Sequence, residues 1–245
     1  MATSISRRAE RFTREGVLRW ALVVLAAASI GFGALAVSRS SVFHAQSVEV
    51  SGAEQLSRAR VVELAAVSRS TNVLWLDDGA IEARLESHAW IARADASRVL
   101  PWTIRIGIVE RSPVALAEDA GRRFLVAADG TVLGSPPAGT DLPRIVLPPV
   151  GTPEEARPSV SGPARALGAM EPSLRARVRW IAVAIDGTIE LRLHGGLRVR
   201  YGLPTDVGAK AGTLARVLAW ADAEGVGLAR VSVVAPASPA VSLSG

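Results

Sequence analysis

The chain has 245 residues, with 28 basic and 23 acidic side chains, a formal net charge of +5 and no cysteine. The lack of cysteine excludes disulfide bonds and thiol chemistry, so packing must stabilise any exported part. Residues 1–19 carry +3 of the net charge and residues 39–245 only +2, without a basic run interleaved with aromatic residues. This distribution argues against a nucleic-acid partner.

The first element in chain order is an uncharged run of eighteen residues, Trp20 to Val37, of which eight are Leu, Val, Ile or Phe. A helix of that length spans ~27 Å, close to the ~30 Å hydrocarbon core of a bilayer. We therefore predict a cytoplasmic tail at residues 1–19 and a single N-terminal transmembrane helix at residues 20–38. Because arginines cluster before the run, we expect the N-terminus inside and the rest outside the cytoplasmic (inner) membrane. The alternative is a cleaved signal peptide ending near Ala34-Leu35-Ala36, whose apolar run is usually shorter.

Residues 39–111 predict a small domain with the element order β-α-α-β-β. An alternating strand comes first, and Ser57 is placed to cap the helix that follows. Asp77 or Asp78 caps a second helix. Two strands follow, and in the second, at residues 103–110, isoleucines recur with period 2. We expect the helix pair to pack on one face of a small sheet.

Residues 112–235 predict a second domain, mostly antiparallel β with flanking helices, so the fold class is α+β. Asp129-Gly130 separates two short strands and is typical of a hairpin turn. Residues 135–158 hold seven of the fourteen prolines. We expect a loop-rich crossing there, with one edge strand at residues 144–147.

The rest of this domain is predicted as helices around a three-strand meander. The predicted elements are a helix near residues 163–170, the meander over residues 178–201, a helix from Thr205 or Asp206 to Ala223, and a last strand at residues 229–234. Small residues and two prolines follow, so residues 236–245 are expected to form a flexible tail.

The residues that usually carry chemistry do not form a recognisable constellation. The three histidines, His44, His88 and His194, are far apart, and none has a second metal ligand at helical spacing. Lys210, the only lysine, lacks the spacing of a phosphate-binding loop and is expected to be a solvated residue early in a helix. We predict no catalytic, cofactor-binding or metal-binding residues, no small-molecule substrate, and no enzyme activity.

Four motifs in order resemble the FtsQ/DivIB family of bacterial cell-division proteins. They are Val48-Glu-Val-Ser-Gly52, Asn72-Val-Leu-Trp-Leu-Asp77, Glu110-Arg111-x-Pro113-Val114-Ala115 and Leu125-Val-Ala-Ala-Asp-Gly-Thr-Val132. The third is the most specific, and the order and spacing of all four give the resemblance its weight. The resemblance implies that residues 39–111 form a POTRA domain and that residues 112–235 form the family's C-terminal β domain.

The resemblance also implies a function and partners. The chain would be a non-catalytic, membrane-anchored scaffold of the divisome at the division septum, controlling septal peptidoglycan synthesis. Its implied partners are the membrane-anchored FtsB and FtsL, with FtsW and FtsI as further candidates.

A partner site is predicted at the last strand of the second domain. The meander strands pair with one another, so the last strand is expected at a sheet edge, where unpaired N–H and C=O groups would template a partner strand. The candidate residues are Arg230, Val231, Ser232, Val233 and Val234. Arg230 stands where the family usually has Asp, so a charge contact there departs from the family pattern. The alternative is that this strand is internal and its valines belong to the core.

Two functions of other classes remain open from the sequence. One is an anchored or secreted cell-wall enzyme or wall-binding protein, against which the missing acid–base pair argues. The other is a POTRA-type chaperone for membrane-protein assembly. That role would be accompanied by tandem POTRA repeats or many barrel strands, and the sequence has neither.

Overall fold

The computed structural model describes residues 5–119, 121–147 and 159–244. Contacts divide the chain into two units: residues up to 88 with 93–109, and residues 89–92 with those from 110 onward. Residues 1–4 of the predicted cytoplasmic tail and residues 148–158 of the proline-rich crossing lie outside the described residues.

The first unit begins with one long helix, α1 (Ile5–Ser38). Its segment Gly16–Ser38 is long and apolar enough to cross a membrane, and it is the only such helix in the described part of the chain. None of this segment is buried against the rest of the protein. An apolar surface of that extent fits lipid better than water.

After a single 3₁₀ turn (Ser41–Phe43), the first unit folds as the predicted β-α-α-β-β arrangement. Its strands are β1 (Ser47–Ser51), β2 (Ile91–Val99) and β3 (Thr103–Glu110), and its helices are α2 (Arg58–Ala65) and α3 (Asp78–Glu86). The first two residues of β2 and the last residue of β3 are grouped with the second unit by their contacts. Strand β3 lies between β1 and β2, and β1 runs parallel to it.

Side-chain caps fix where both helices of this unit start. The Ser57 hydroxyl accepts a hydrogen bond of 3.2 Å from the Arg60 N–H, and Asp77 Oδ1 accepts one of 3.0 Å from the Ala80 N–H. Asp77 is therefore the cap of α3, and Asp78 is its first residue. The predicted helical and strand faces are buried, including Ile81, Leu85 and the β3 isoleucines.

Within the described residues, the second unit contains a nine-stranded sheet and three helices. Its strands are β4 (Pro113–Asp119), β5 (Arg122–Ala127), β6 (Val132–Gly134), β7 (Arg144–Val146), β8 (Val178–Val183), β9 (Ile189–Leu193), β10 (Arg198–Gly202), β11 (Leu228–Ser232) and β12 (Ala240–Leu243). Its helices are α4 (Ser161–Gly168), α5 (Pro172–Ala176) and α6 (Val207–Glu224). The strand order is β12-β11-β10-β9-β8-β7-β4-β5-β6.

Strand β7 corrects one sequence prediction, since it does not lie at an edge. It pairs in parallel with β4 on one side and β8 on the other. Its three residues therefore bridge the β4–β6 group and the meander within one sheet. The prolines around this strand indicated an edge, but they flank its three residues, and the Pro143 carbonyl itself accepts a hydrogen bond of 2.9 Å from the Leu116 N–H of β4.

All three helices pack on one face of the sheet. One core row crosses five strands through Ile145, Ile181, Leu191, Val199 and Val231, each at most 4 % exposed. Leu167 of α4, Leu174 of α5 and Leu214 of α6 belong to the same cluster. The helices therefore leave the opposite face of strands β7–β12 free of the main core.

Lys210 corrects a second prediction, because it is 3 % exposed rather than solvated. Its Nζ donates a hydrogen bond of 2.8 Å to the Leu203 carbonyl and lies 5.6 Å from the centre of the Tyr201 ring. The Tyr201 hydroxyl donates to the Val207 carbonyl at 2.8 Å. Burial raises the pKa of Tyr201 far above its ordinary value, so this donor keeps its proton. The two side chains hold the loop before α6 against the sheet.

Candidate partner-binding site

The last strand of the sheet is not the strand that the sequence analysis placed at the edge. Strand β11 lies between β10, its parallel neighbour, and β12, its antiparallel neighbour. The prediction of an edge at residues 230–234 is therefore wrong. The predicted flexible tail, residues 236–245, contains β12, the outermost strand of this side of the sheet.

The five predicted site residues differ in what they expose. Val231 and Val233 are fully buried, and the Val233 N–H already donates a hydrogen bond of 3.0 Å to the Arg200 carbonyl. Arg230 and Val234 are exposed, and Ser232 is half-buried. Only residues 228–232 are in the strand. The core role of the valines, the alternative reading of the sequence, fits Val231 and Val233.

Strand β12 presents the backbone edge that was expected at β11. The Ser244 N–H donates to the Gly227 carbonyl at 2.9 Å, so it points towards β11. Since peptide directions alternate along a strand, the N–H groups of Ala240 and Ser242 point the same way. Those of Val241 and Leu243 point outward, where no other strand of the described chain pairs with them.

The segment before β12 is tied to α6. Thr213 Oγ1 donates a hydrogen bond of 3.0 Å to the Pro236 carbonyl, and it accepts one of 2.9 Å from Arg216 Nη2. Thr213 is 3 % exposed. The segment leading into β12 is thus fixed at one end by Thr213 and at the other by its pairing with β11.

An apolar groove of about 440 Å³ runs beside this edge, between α6 and β12. Trp220 and Val241 line it and are 46 % and 44 % exposed. The other lining residues are Thr213, Arg216, Val217, Pro236, Ala237 and Pro239. Val241 lies opposite Val231 in the ladder, so its side chain is on the helix-covered face of the sheet.

The other face of the same strands carries a row of arginines. The register aligns Arg144, Trp180, Arg192, Arg198, Arg230 and Ser242 across six neighbouring strands. Arg192, Arg198 and Arg230 are on three adjacent strands, which are ~4.8 Å apart. None of these three forms an ion pair within the described residues. We call residues 192, 198 and 230 the arginine row.

The arginine row is an electrostatic cost to the isolated chain. Like charges directly opposite each other in a sheet are destabilising by ~0.2–1 kcal/mol per pair. Arg198 faces Arg192 on one side and Arg230 on the other. An acidic group bound near these side chains would offset part of that repulsion.

The described residues contain no group of three or more histidine, aspartate or glutamate side chains that could hold a metal ion. His194 is exposed in a turn, and His44 and His88 belong to other elements. The outer side of the sheet has the geometry of a binding surface: a free strand edge at β12, an apolar groove on one face and cations on the other.

Two family models match consecutive parts of the chain. A POTRA domain of the FtsQ type matches residues 43–111, and the C-terminal domain of cell division protein FtsQ/DivIB matches residues 115–232. A cell division protein FtsQ from Streptomyces bingchenggensis is 30% identical over 212 residues, covering 84% of this chain and 78% of that protein. The chain belongs to the FtsQ/DivIB family. Proteins of this family are non-catalytic division proteins.

Other members of the family are longer than the matched part. The FtsQ of Mycolicibacterium smegmatis is 30% identical over 203 residues, which is 82% of this chain but 59% of that protein. The chain thus spans about three fifths of this relative. The extracytoplasmic domain of Geobacillus stearothermophilus DivIB matches with 16% identity and a TM-score of 0.33, covering 46% of this chain and 93% of that domain.

The family match confirms the resemblance and the α+β fold class that the motifs predicted. The FtsQ/DivIB C-terminal match ends at Ser232, so β12 lies beyond it. Sequence reasoning missed β12, the groove and the arginine row. The available signal was the alternation of Ala240-Val-Ser-Leu243, a strand pattern among small residues.

Proposed function

We propose that this FtsQ/DivIB family member is a non-catalytic scaffold of the divisome that captures a strand of a membrane-anchored partner at β12. It recruits and stabilises FtsB- and FtsL-type partners, and with them FtsW and FtsI, to control septal peptidoglycan synthesis. The observation that carries the proposal is the outward edge of β12, flanked by the groove and the arginine row.

The proposed location is the cytoplasmic membrane at the division septum, with one crossing and the N-terminus inside. Five arginines precede the apolar segment, whereas Arg39 is the only charged residue between Val37 and Glu49. The side richer in arginine stays in the cytoplasm. Both folded units are then extracytoplasmic, where the soluble parts of other single-span division proteins would meet them.

Strand addition explains why the three surface features occur together. A partner strand along β12 would receive main-chain hydrogen bonds from the Val241 and Leu243 N–H groups. Its alternate side chains would point to opposite faces of the extended sheet. An apolar residue on one face would enter the groove beside Trp220, and an acidic residue on the other would approach Arg230.

The partner's main chain and its side chains have different roles in strand addition, and these roles determine what its sequence must contain. Main-chain pairing supplies affinity with little sequence preference, while the alternate side chains supply specificity. The proposed partner segment therefore alternates large apolar residues with Asp or Glu. Among FtsB- and FtsL-type proteins, a segment of that pattern is the expected ligand.

The test is binding of the full chain, in detergent micelles, to the extracytoplasmic parts of FtsB and FtsL from the same bacterium. Leu243→Pro removes an outward N–H and should reduce affinity at least tenfold. Leu243→Thr is the matched control, since it keeps the donor while also shortening the side chain. Equal affinity for both variants would refute capture at β12, and no binding by the unmodified chain would refute the partner assignment.

A further inference from the structure

A second surface, in the first unit, joins the end of the membrane helix to exposed apolar side chains. Val42, Trp75, Leu100 and Trp102 are 59 %, 58 %, 59 % and 42 % exposed. We call these four residues the juxtamembrane patch. The proposed function does not use it, since strand capture takes place in the second unit.

Hydrogen bonds place Trp75 at the last residue of α1. Its Nε1 donates to Ser38 Oγ at 3.3 Å, and Asn72 Nδ2 donates to the Ser38 carbonyl at 2.8 Å. The Arg39 guanidinium lies 5.7 Å from the centre of the Trp75 ring. The patch therefore starts where the apolar helix ends.

Trp102 extends the patch along the segment that follows the helix. Its Nε1 donates to the Val42 carbonyl at 2.9 Å, and its carbonyl accepts a hydrogen bond of 2.9 Å from the Gln46 N–H. Both indole N–H groups of the patch are thus satisfied, and the exposed parts of both rings are apolar. Leu100 is two residues before Trp102 in the turn between β2 and β3.

The chemistry of this set matches the boundary between lipid headgroups and acyl chains. Tryptophan is enriched at that boundary because its ring is apolar while its N–H is polar. An arginine beside it can reach phosphate groups. Since the membrane segment ends at Ser38, the lipid surface is the apolar medium nearest to the patch.

We propose that the juxtamembrane patch inserts into the headgroup–acyl boundary of the bilayer that α1 crosses, on the side where α1 ends. The first unit is then held against the lipid surface by Trp75, Trp102, Leu100 and Val42, in addition to its covalent link. A partner protein on this patch is the rival occupant.

The absence of cysteine allows single labelling sites. Leu100→Cys and Val109→Cys are a matched pair, because both side chains are 59 % exposed in the first unit. Thr103 and Val109 lie at opposite ends of β3, about 20 Å apart. The Leu100 site is in the patch, and the Val109 site is the control.

Each labelled full-length chain would be reconstituted in phosphatidylcholine vesicles. Quenching of a fluorescent label by brominated lipid would be compared with quenching by aqueous iodide. Lipid quenching at residue 100 should exceed that at residue 109 at least threefold, with the reverse order for iodide. Equal quenching at the two sites, or iodide access at residue 100, would overturn the proposal.

A second variant distinguishes insertion of the juxtamembrane patch into the bilayer from lipid quenching that arises only because residue 100 is close to α1. Trp75→Gln in the Leu100→Cys background keeps a donor near Ser38 but removes the ring, and lipid quenching at residue 100 should fall at least twofold. An unchanged thermal midpoint would show that the unit still folds. Undiminished quenching in that folded variant would also overturn the proposal.

Discussion

Arg111 Nε donates a hydrogen bond of 2.7 Å to Asp129 Oδ2. This ion pair joins two of the motifs that carry the family resemblance, Glu110–Ala115 and Leu125–Val132. Arg111 also donates to the carbonyls of Ala89 and Ile91, and its side chain is 19 % exposed. One guanidinium thus connects three segments of the second unit.

Asp129 should make this unit sensitive to acid. Partial burial would raise the pKa of Asp129, but hydrogen bonds from the Thr131 N–H, from Arg111 and from the Thr131 hydroxyl, with the charge of Arg111, lower it overall. Because the folded-state pKa is below the unfolded one, ionised Asp129 stabilises the fold above the unfolded pKa. That stabilisation is lost as the pH falls through the folded pKa.

The expected result is a smaller acid-induced drop in the thermal midpoint for Asp129→Asn than for the unmodified chain, between about pH 5 and pH 2. Thermal unfolding in detergent at several pH values measures it. Asp141→Asn, on an exposed carboxylate of the same unit, is the control. Identical pH profiles for Asp129→Asn and the unmodified chain would contradict the prediction.

Tyr201→Phe should lower the free energy of unfolding of the second unit by ~0.5–1.5 kcal/mol, because it removes one hydrogen bond and keeps the ring. The lost bond is the one to the Val207 carbonyl in the first turn of α6. Urea unfolding of the full chain in micelles would measure the change. An effect below the error of the measurement would contradict the prediction.

Gly130→Ala should destabilise the hairpin between β5 and β6. Gly130 has φ +90°, and an added Cβ would lie 2.7 Å from the Ser161 Cβ. The conformational strain costs ~1–3 kcal/mol, with the clash in addition. Gly139→Ala is a useful control, since Gly139 has φ +82° but open space around it. The difference between the two melting temperatures isolates the contact with Ser161.

Arg198→Thr should stabilise the isolated chain and weaken it as a binding partner. It removes the middle charge of the arginine row, relieving ~0.2–1 kcal/mol of repulsion per neighbour. Loss of a cation should also reduce affinity for an acidic segment and the salt dependence of binding. Titrations at two salt concentrations, beside urea unfolding, test both. A variant that binds the FtsB and FtsL extracytoplasmic parts as well as before would show that Arg198 takes no part in binding.

Trp220→Ala should weaken partner binding at least tenfold while leaving the fold intact. Its ring is 46 % exposed in the groove beside β12 and is thus available to a partner side chain. Binding hot spots are enriched in tryptophan, and truncating one costs about 2 kcal/mol or more of binding free energy. Ile185→Ala, on a residue 73 % exposed in the turn after β8, should leave affinity unchanged. A calorimetric titration distinguishes the two outcomes.

Much of the fold could be predicted because local signals and tertiary packing agree. Ser57 and Asp77 cap helices as their residue types suggest, and the period-2 isoleucines of β3 are buried. The outward placement of Arg192 and Arg198 also follows from alternation along single strands. The sequence of one strand does not specify its register with the neighbouring strand. The alignment of these arginines with Arg230 was therefore not predictable.

The edge assignment failed for a related reason. Ala240–Leu243 has only four residues, and its short apolar pattern is hidden among Ser, Pro and Ala. Its place in the sheet comes from its pairing with β11, and the segment before it is held by the hydrogen bond between Thr213 and Pro236, two residues 23 positions apart. Lys210 was misjudged because its burial depends on the Leu203 carbonyl and the Tyr201 ring, both outside its helix.

The two hydrogen bonds to Ser38 also couple the movement of α1 to the movement of the folded residues that follow it. Asn72 and Trp75 are hydrogen-bonded to Ser38, the last residue of α1, so the helix is not joined to the sheet beyond it by a flexible linker alone. A rotation of the helix about its own axis is therefore passed on to the rest of the first unit. A neighbouring membrane protein that binds α1 inside the bilayer would thereby set the orientation of the folded part of the first unit.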